Sequence, residues 1–281
     1  MRIALAQMDC RLGDVDANLG QARGFVAEAR LQQADLVVFP ELALTGYSLR
    51  LVGGDVSLKS DDERLVALVR EADETSIVLG FLEADGTRAY NSAAYFEGGS
   101  LVHLHRKLYL QTFWPYGEHK HYDPGRSMRA FDTALGRVAM MVCNDAWRPA
   151  LAFLAAQDGA HMILIPANTA ESFFPDEIDN KECWYDITRF YARMLQVYVV
   201  FVNRAGREEE FNFWGGSHVV DPSGRIMAEG PRFKEDLIIV DLDLDAVRRR
   251  RRALPIFTEA RLDLLSEVLN HLKKEAKDPY R

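Results

Sequence analysis

Seven short β-type runs punctuate the chain: Ile3–Ala6, Leu36–Phe39, Ile77–Phe81, Val138–Val142, Met162–Ile165, Val197–Val202 and Leu237–Val240. Several are apolar without alternation. A strand with one wet face alternates apolar and polar side chains, so a run that does not alternate needs cover on both faces. That demands helices above and below a sheet, or a further layer.

Helical patterns lie between these runs. Asn18 to Leu31 puts Leu19, Ala22, Val26 and Ala29 on one face. Ser60 with Glu63 reads as a capping box ahead of Leu65, Leu68, Val69 and Ala72. Pro149 suits the first turn of a helix through Gln157. Further helical spacing runs from Asp176 to Leu195 and from Thr258 to Lys274. Hairpin signals appear at Asp85-Gly86, Gly98-Gly99 and Asp221-Pro222-Ser223-Gly224. The expected sheet is therefore mixed. No internal repeat stands out. The simplest partition is one α/β domain over residues 1–245 and a helical extension over 246–281, a candidate part of a subunit interface.

Charge narrows the function classes. The 281 residues carry 34 Lys+Arg against 42 Asp+Glu, a net charge of −8. That balance argues against a general nucleic-acid binder. The run Arg248–Arg252 reads first as a solvated helix start or a subunit contact, and second as a contact for an anionic partner. Three cysteines without CxxC spacing make a disulfide framework unlikely and a reducing cytoplasm the expected home. The opening residues do not read as a signal peptide, and no apolar run approaches the roughly 20 residues of a membrane span.

Several familiar chemistries have no motif: GxGxxG, GxxxxGK[ST], HExxH and GxSxG are all absent. What remains sits at strand ends, where open α/β sheets bind ligands. Leu36–Phe39 runs into Pro40-Glu41, and Val138–Val142 runs into Cys143-Asn144-Asp145. Lys107 closes a third candidate strand, Leu101–Arg106. Each residue has a bland reading: a buried thiol, a loop carboxylate, a surface lysine. Against these, a thiol at a strand-to-helix junction meets the partial positive charge of a helix N-terminus, which favours thiolate. A carboxylate beside a buried run is costly unless partnered, which suits a general base near neutral pH.

These residues also carry a resemblance. FPELALTGY (Phe39 to Tyr47), HRKLYL (His105 to Leu110) and MMVCNDAW (Met140 to Trp147) resemble the three signature segments of the nitrilase superfamily of carbon–nitrogen hydrolases, in order and at similar separations. IALAQMD, GEHKHYDPG (Gly117 to Gly125), VNRAG and GGSHVVDPSG add to it, so it covers about residues 1–245. It implies a four-layer α-β-β-α sandwich, hydrolysis of amides, carbamoyl compounds or nitriles, or acyl transfer, and no metal or organic cofactor. It places the family's catalytic residues at Glu41, Lys107 and Cys143, with a second glutamate at Glu118. It implies paired subunits, a homodimer or higher homo-oligomer. Lys107 and the Cys143, Asp145, Trp147 pattern also resemble the glutaminase portion of glutamine-dependent NAD synthetases. No SGGxD-type segment is present in these residues, so the expectation is a lone amidase or an ammonia-supplying subunit and not a fused synthetase.

The expected reaction is hydrolysis of a small linear amide through a Cys143 thioester, with Glu41 as base and Lys107 plus the Asn144 backbone N–H on the oxyanion. Asn144, Asn168, Tyr47, Trp114, Phe173 and Trp184 are the candidate substrate contacts. Nitrilase or carbamoylase chemistry is the alternative on the same residues. Two readings from other classes compete: a zinc hydrolase built on His103, His105, His119 and His121, and a non-catalytic assembly subunit.

Overall fold

The structure is a computed structural model that describes residues 1–112 and 115–275. The first half lays down β1 (Arg2–Gln7), α1 (Val15–Leu31), β2 (Leu36–Val38), α2 (Glu63–Glu71), β3 (Ser76–Asp85), β4 (Arg88–Glu97) and β5 (Ser100–Arg106). The second half has β6 (Ala130–Thr133), β7 (Gly136–Met140), α3 (Pro149–Gln157), β8 (Met162–Ala167), α4 (Asn180–Leu195) and β9 (Tyr198–Asn203). A ribbon of β10 (Ala205–Glu208) and β11 (Phe211–Trp214) leads to β12 (His218–Val220) and β13 (Ile226–Glu229). The chain then returns as β14 (Asp236–Asp241) and finishes in α5 (Asp245–Ala253) and α6 (Leu262–Glu275).

Two six-stranded mixed sheets result, ordered β14-β1-β2-β3-β4-β5 and β6-β7-β8-β9-β12-β13. β1, β2 and β3 are mutually parallel, and so are β7, β8 and β9; every other pairing within the two sheets is antiparallel. The two halves thus repeat one topology that their sequences do not advertise.

Burial explains the non-alternating runs. Ile3, Leu5, Leu36 and Val38 face the layer shared with the second sheet. Their neighbours Ala4, Ala6, Val37 and Phe39 pack with Leu19, Ala22, Val26, Leu65 and Leu68 of α1 and α2. On the other side, α3 and α4 cover the second sheet through Leu151, Ala152, Tyr191 and Ala192. The layers are therefore helix, sheet, sheet, helix, and the expected four-layer α-β-β-α sandwich is the fold.

Local expectations hold with small shifts. Helix α3 spans Pro149–Gln157 as read from Pro149. Asp62, not Ser60, caps α2, its Oδ1 accepting from the Arg64 N–H at 2.9 Å, because a carboxylate one residue from the first turn reaches that orphan donor. Asp179 caps α4, so that helix begins four residues later than Asp176. The arginine run lies within α5 instead of opening a helix. A short 3-10 turn over Pro255–Glu259 delays α6 to Leu262. Among the described residues, no helix is long and apolar enough to cross a membrane.

Candidate active site

Glu41 follows β2, Cys143 follows β7 and Asn168 follows β8, all at carboxyl ends of parallel strands. β5 runs antiparallel to β4, which runs antiparallel to β3, so Lys107 leaves its strand at the same end. The turn through Glu41 is packed onto β3 at Gly80, where a Cβ would stand 2.3 Å from the Pro40 carbonyl oxygen and 2.7 Å from the Leu42 nitrogen. Cys143 itself has φ of 45°, a left-handed conformation uncommon for a side chain of this kind. It opens a five-residue 3-10 turn, Cys143–Trp147.

One buried carboxylate holds that turn against the lysine segment. Asp145 Oδ2 accepts from the Val142 N–H at 3.1 Å and lies 2.9 Å from His105 Nε2. Its Oδ1 accepts from the N–H groups of Leu108 and Tyr109 at 2.9 and 2.8 Å. Asp145 thus ties the strand end bearing Cys143 to the residues just after Lys107.

The ionic centre is fully enclosed. Lys107 Nζ donates to Glu41 Oε1 at 2.7 Å and to Glu118 Oε1 at 2.8 Å. Glu41, Lys107 and Glu118 are 0%, 1% and 2% exposed, so this is a buried charge cluster that survives by mutual pairing. Neutral donors complete it. Asn91 Nδ2 donates to Glu41 Oε1 at 2.7 Å, and the Asn168 N–H donates to Glu41 Oε2 at 2.8 Å. Tyr47 Oη donates to Glu118 Oε1 at 2.6 Å, and the Gln111 N–H donates to Glu118 Oε2 at 2.9 Å.

Burial and then the Glu41 carboxylate push the Cys143 thiol well above its ordinary range; Lys107 and the Asn168 N–H pull the other way and are outweighed. The helix terminus invoked for a thiolate is not adjacent to the sulfur: helix α3 starts only at Pro149, beyond a short 3-10 turn. Burial disfavours the Lys107 ammonium, but Glu118, Glu41 and Cys143 together hold it well above its usual value. Burial raises Glu118, with Glu41 adding to it, because two carboxylates share one ammonium.

A cavity of about 200 Å³ opens onto the sulfur. Of the candidate substrate contacts, Asn144, Asn168, Phe173 and Trp184 line it. Asn168 is 2% exposed, and its Oδ1 and Nδ2 have no partner among the described residues. Trp184 is pinned by its Nε1–H, which donates to Thr169 Oγ1 at 3.0 Å. Tyr47 stands behind the wall, its ring among Tyr116, Phe211 and Phe213 and its hydroxyl on Glu118. Trp114 lies outside the described residues. The four histidines do not gather: His105 pairs with Asp145, His103 stacks on Phe131 at 4.1 Å, and His119 and His121 are exposed. Among the described residues no group of three or more acidic, His or Cys side chains is arranged to hold a metal ion. Sequence reasoning missed Asn91, Gln111 and Asp145. The Asp two residues after Cys143 was visible as a motif position; Asn91, in the middle of a strand, had no signal.

Comparison with known proteins agrees with this geometry. The chain is 30% identical over 250 residues to the glutamine-dependent NAD(+) synthetase of Thermotoga maritima, covering 87% of this chain but only 42% of that one. It is 30% identical to the omega-amidase of Saccharomyces cerevisiae, covering 96% of this chain and 97% of the yeast protein. A solved variant of the amidase from Nesterenkonia sp. AN1, which shows the product of Michael addition of acrylamide at the active-site cysteine, superposes with a TM-score of 0.75. That match has 25% identity and covers 90% of this chain and 98% of the other. The family model described as carbon-nitrogen hydrolase matches residues 2–252, a stretch that contains the whole buried cluster and the cavity beside it, and the chain therefore belongs to the carbon–nitrogen hydrolase family.

Proposed function

We propose that the protein is an amidase acting on a small linear amide through a thioester on Cys143. The reading rests on one observation above the others: a thiol on a cavity wall electrostatically coupled to a buried carboxylate–lysine–carboxylate cluster. Glu41 takes the thiol proton as sulfur attacks the amide carbon, which splits one hard displacement into two easier ones. The C–N bond then breaks, and the same proton leaves with the ammonia or amine. Glu41 next deprotonates water, which attacks the thioester and releases the acid and the thiol. Glu41 suits this relay because Asn91, Asn168 and Lys107 fix both its oxygens.

Lys107 has three N–H donors and spends two on carboxylates, leaving one for the oxyanion beside the Asn144 backbone N–H. Loss of one such donor costs on the order of 3 kcal/mol of transition-state stabilisation. Glu118 positions Lys107. Amide chemistry is favoured by the likeness to the yeast omega-amidase and to a Pseudomonas (R)-stereoselective amidase.

Intact-protein mass spectrometry after exposure to a panel of short amides tests the reading. The expected result is an acyl adduct on Cys143, lost in C143A. Labelling confined to Cys10 or Cys183 overturns it.

A further inference from the structure

β8 leads into the active site at Asn168; His161 immediately precedes its other end, about 20 Å away at the rise of an extended chain. There the surface opens a groove in which His161 meets Arg248, Arg251 and Arg252 of α5, with Leu244 and Val247 between them. The three arginines are spaced i, i+3, i+4, so they share one face of the helix. Asp245 also borders the groove, 3.8 Å from Arg248, and Arg249 is drawn away to Asp243. Neither Arg251 nor Arg252 has a carboxylate partner among the described residues. In a chain of net charge −8 this concentration of cations is anomalous.

Arg251 sharpens the anomaly. Its Nη2 donates to the Ala160 carbonyl at 3.0 Å and its guanidinium lies 4.0 Å over the Phe257 ring, yet its Nε is buried with no partner. Burial lowers its pKa, and it lowers that of His161 in turn. A helix C-terminus favours basic residues in its last turn by a few tenths of a kcal/mol each. That accounts for cations near Ala253 but not for a guanidinium fixed and half-buried without a counter-charge.

We infer that this groove is a second binding site, remote from Cys143, for a multivalent phosphate: a pyrophosphate or triphosphate group, free or carried on a nucleoside. Neighbouring positions on one helix face stand about 5–6 Å apart, which matches several guanidinium forks to successive phosphates of one chain. A monoanion leaves most of the charge uncompensated. Planar, bidentate arginines favour phosphate over a diffuse ion cloud.

Isothermal titration of the full chain with inorganic tripolyphosphate, at fixed ionic strength, tests this. Sodium sulfate is the control for general screening, and ATP forms a second arm. The expected result is saturable one-to-one binding of tripolyphosphate, weakened at least tenfold in R251Q/R252Q and less than twofold in R249Q. ATP binding equal to tripolyphosphate assigns the phosphates alone; tighter ATP binding adds the nucleoside to the ligand. If R251Q/R252Q fails to fold, R248Q/R252Q leaves the Ala160 and Phe257 contacts in place and carries the same expectation. Absence of saturable binding, displacement by sulfate at equal concentration, or an equal loss in R249Q overturns the proposal.

Discussion

Single side chains set the chemistry and much of its pH dependence. Tyr47 donates to Glu118 at 2.6 Å inside the protein, and Glu118 in turn holds Lys107. In Y47F the carboxylate loses that donor, so its proton affinity rises further. The acidic limb of kcat/KM is expected to move to higher pH, with a loss of roughly tenfold near neutrality, the size that one charge-assisted hydrogen bond allows. An unshifted pH–rate profile contradicts this linkage. His218 gives a stability counterpart. It is fully buried between the Gly216 carbonyl and the Thr188 hydroxyl, and burial holds its pKa down at about 4. A histidine depressed in the folded state protonates first in the unfolded chain, so stability is full above about 6.5 and falls as pH drops toward 4. At about 1.4 kcal/mol per tenfold in proton affinity, that depression is worth about 3 kcal/mol. Denaturant melts of the protein and H218Q across this range check it; equal slopes in both remove His218 as the cause.

Elements carry these residues to the same place, and their tolerances are narrow. Gly80 is the clearest case, since β3 must let the Glu41 turn lie directly on its backbone. G80A is expected to cost about 1–3 kcal/mol or more, the usual penalty of overpacking a tight interior, read as a shift of the denaturant midpoint. A variant with an unchanged midpoint and unchanged kcat shows that the turn can move away freely. The strands bearing Glu41 and Cys143 were legible beforehand because two-sided burial writes itself as an uninterrupted apolar run. β6, β10 and β11 were not. They are four-residue strands whose residues alternate irregularly, and β10 ends in Glu208, buried against Arg204 just ahead of the strand, in place of an apolar pattern. The Cys143 turn was legible in composition but not in geometry. A strand-to-helix junction reads the same whether or not a 3-10 turn intervenes, and the burial that raises the thiol's proton affinity comes from distant segments.

At the scale of the whole molecule, the described part of the chain's end adds little to the core. No residue of α6 is buried, and Leu262, Leu265, Val268, Leu269 and Leu272 are all roughly half exposed. Ending the chain at Arg261 is therefore expected to lower the Tm by no more than about 4 °C, the shift for ~1 kcal/mol in a chain of this size. A fall several times larger assigns α6 a structural load. The duplicated topology has a different consequence. Glu41, Lys107 and Glu118 precede β6, while Cys143 and Asn168 follow it, so the proposed base and the proposed nucleophile belong to separate halves of the chain. Under the proposed mechanism, a molecule that has assembled only one sheet owns either the proton acceptor or the nucleophile, never both. Turnover by that mechanism is therefore expected only at the closing step of folding, and a partly made or wrongly mated copy is expected to stay chemically silent.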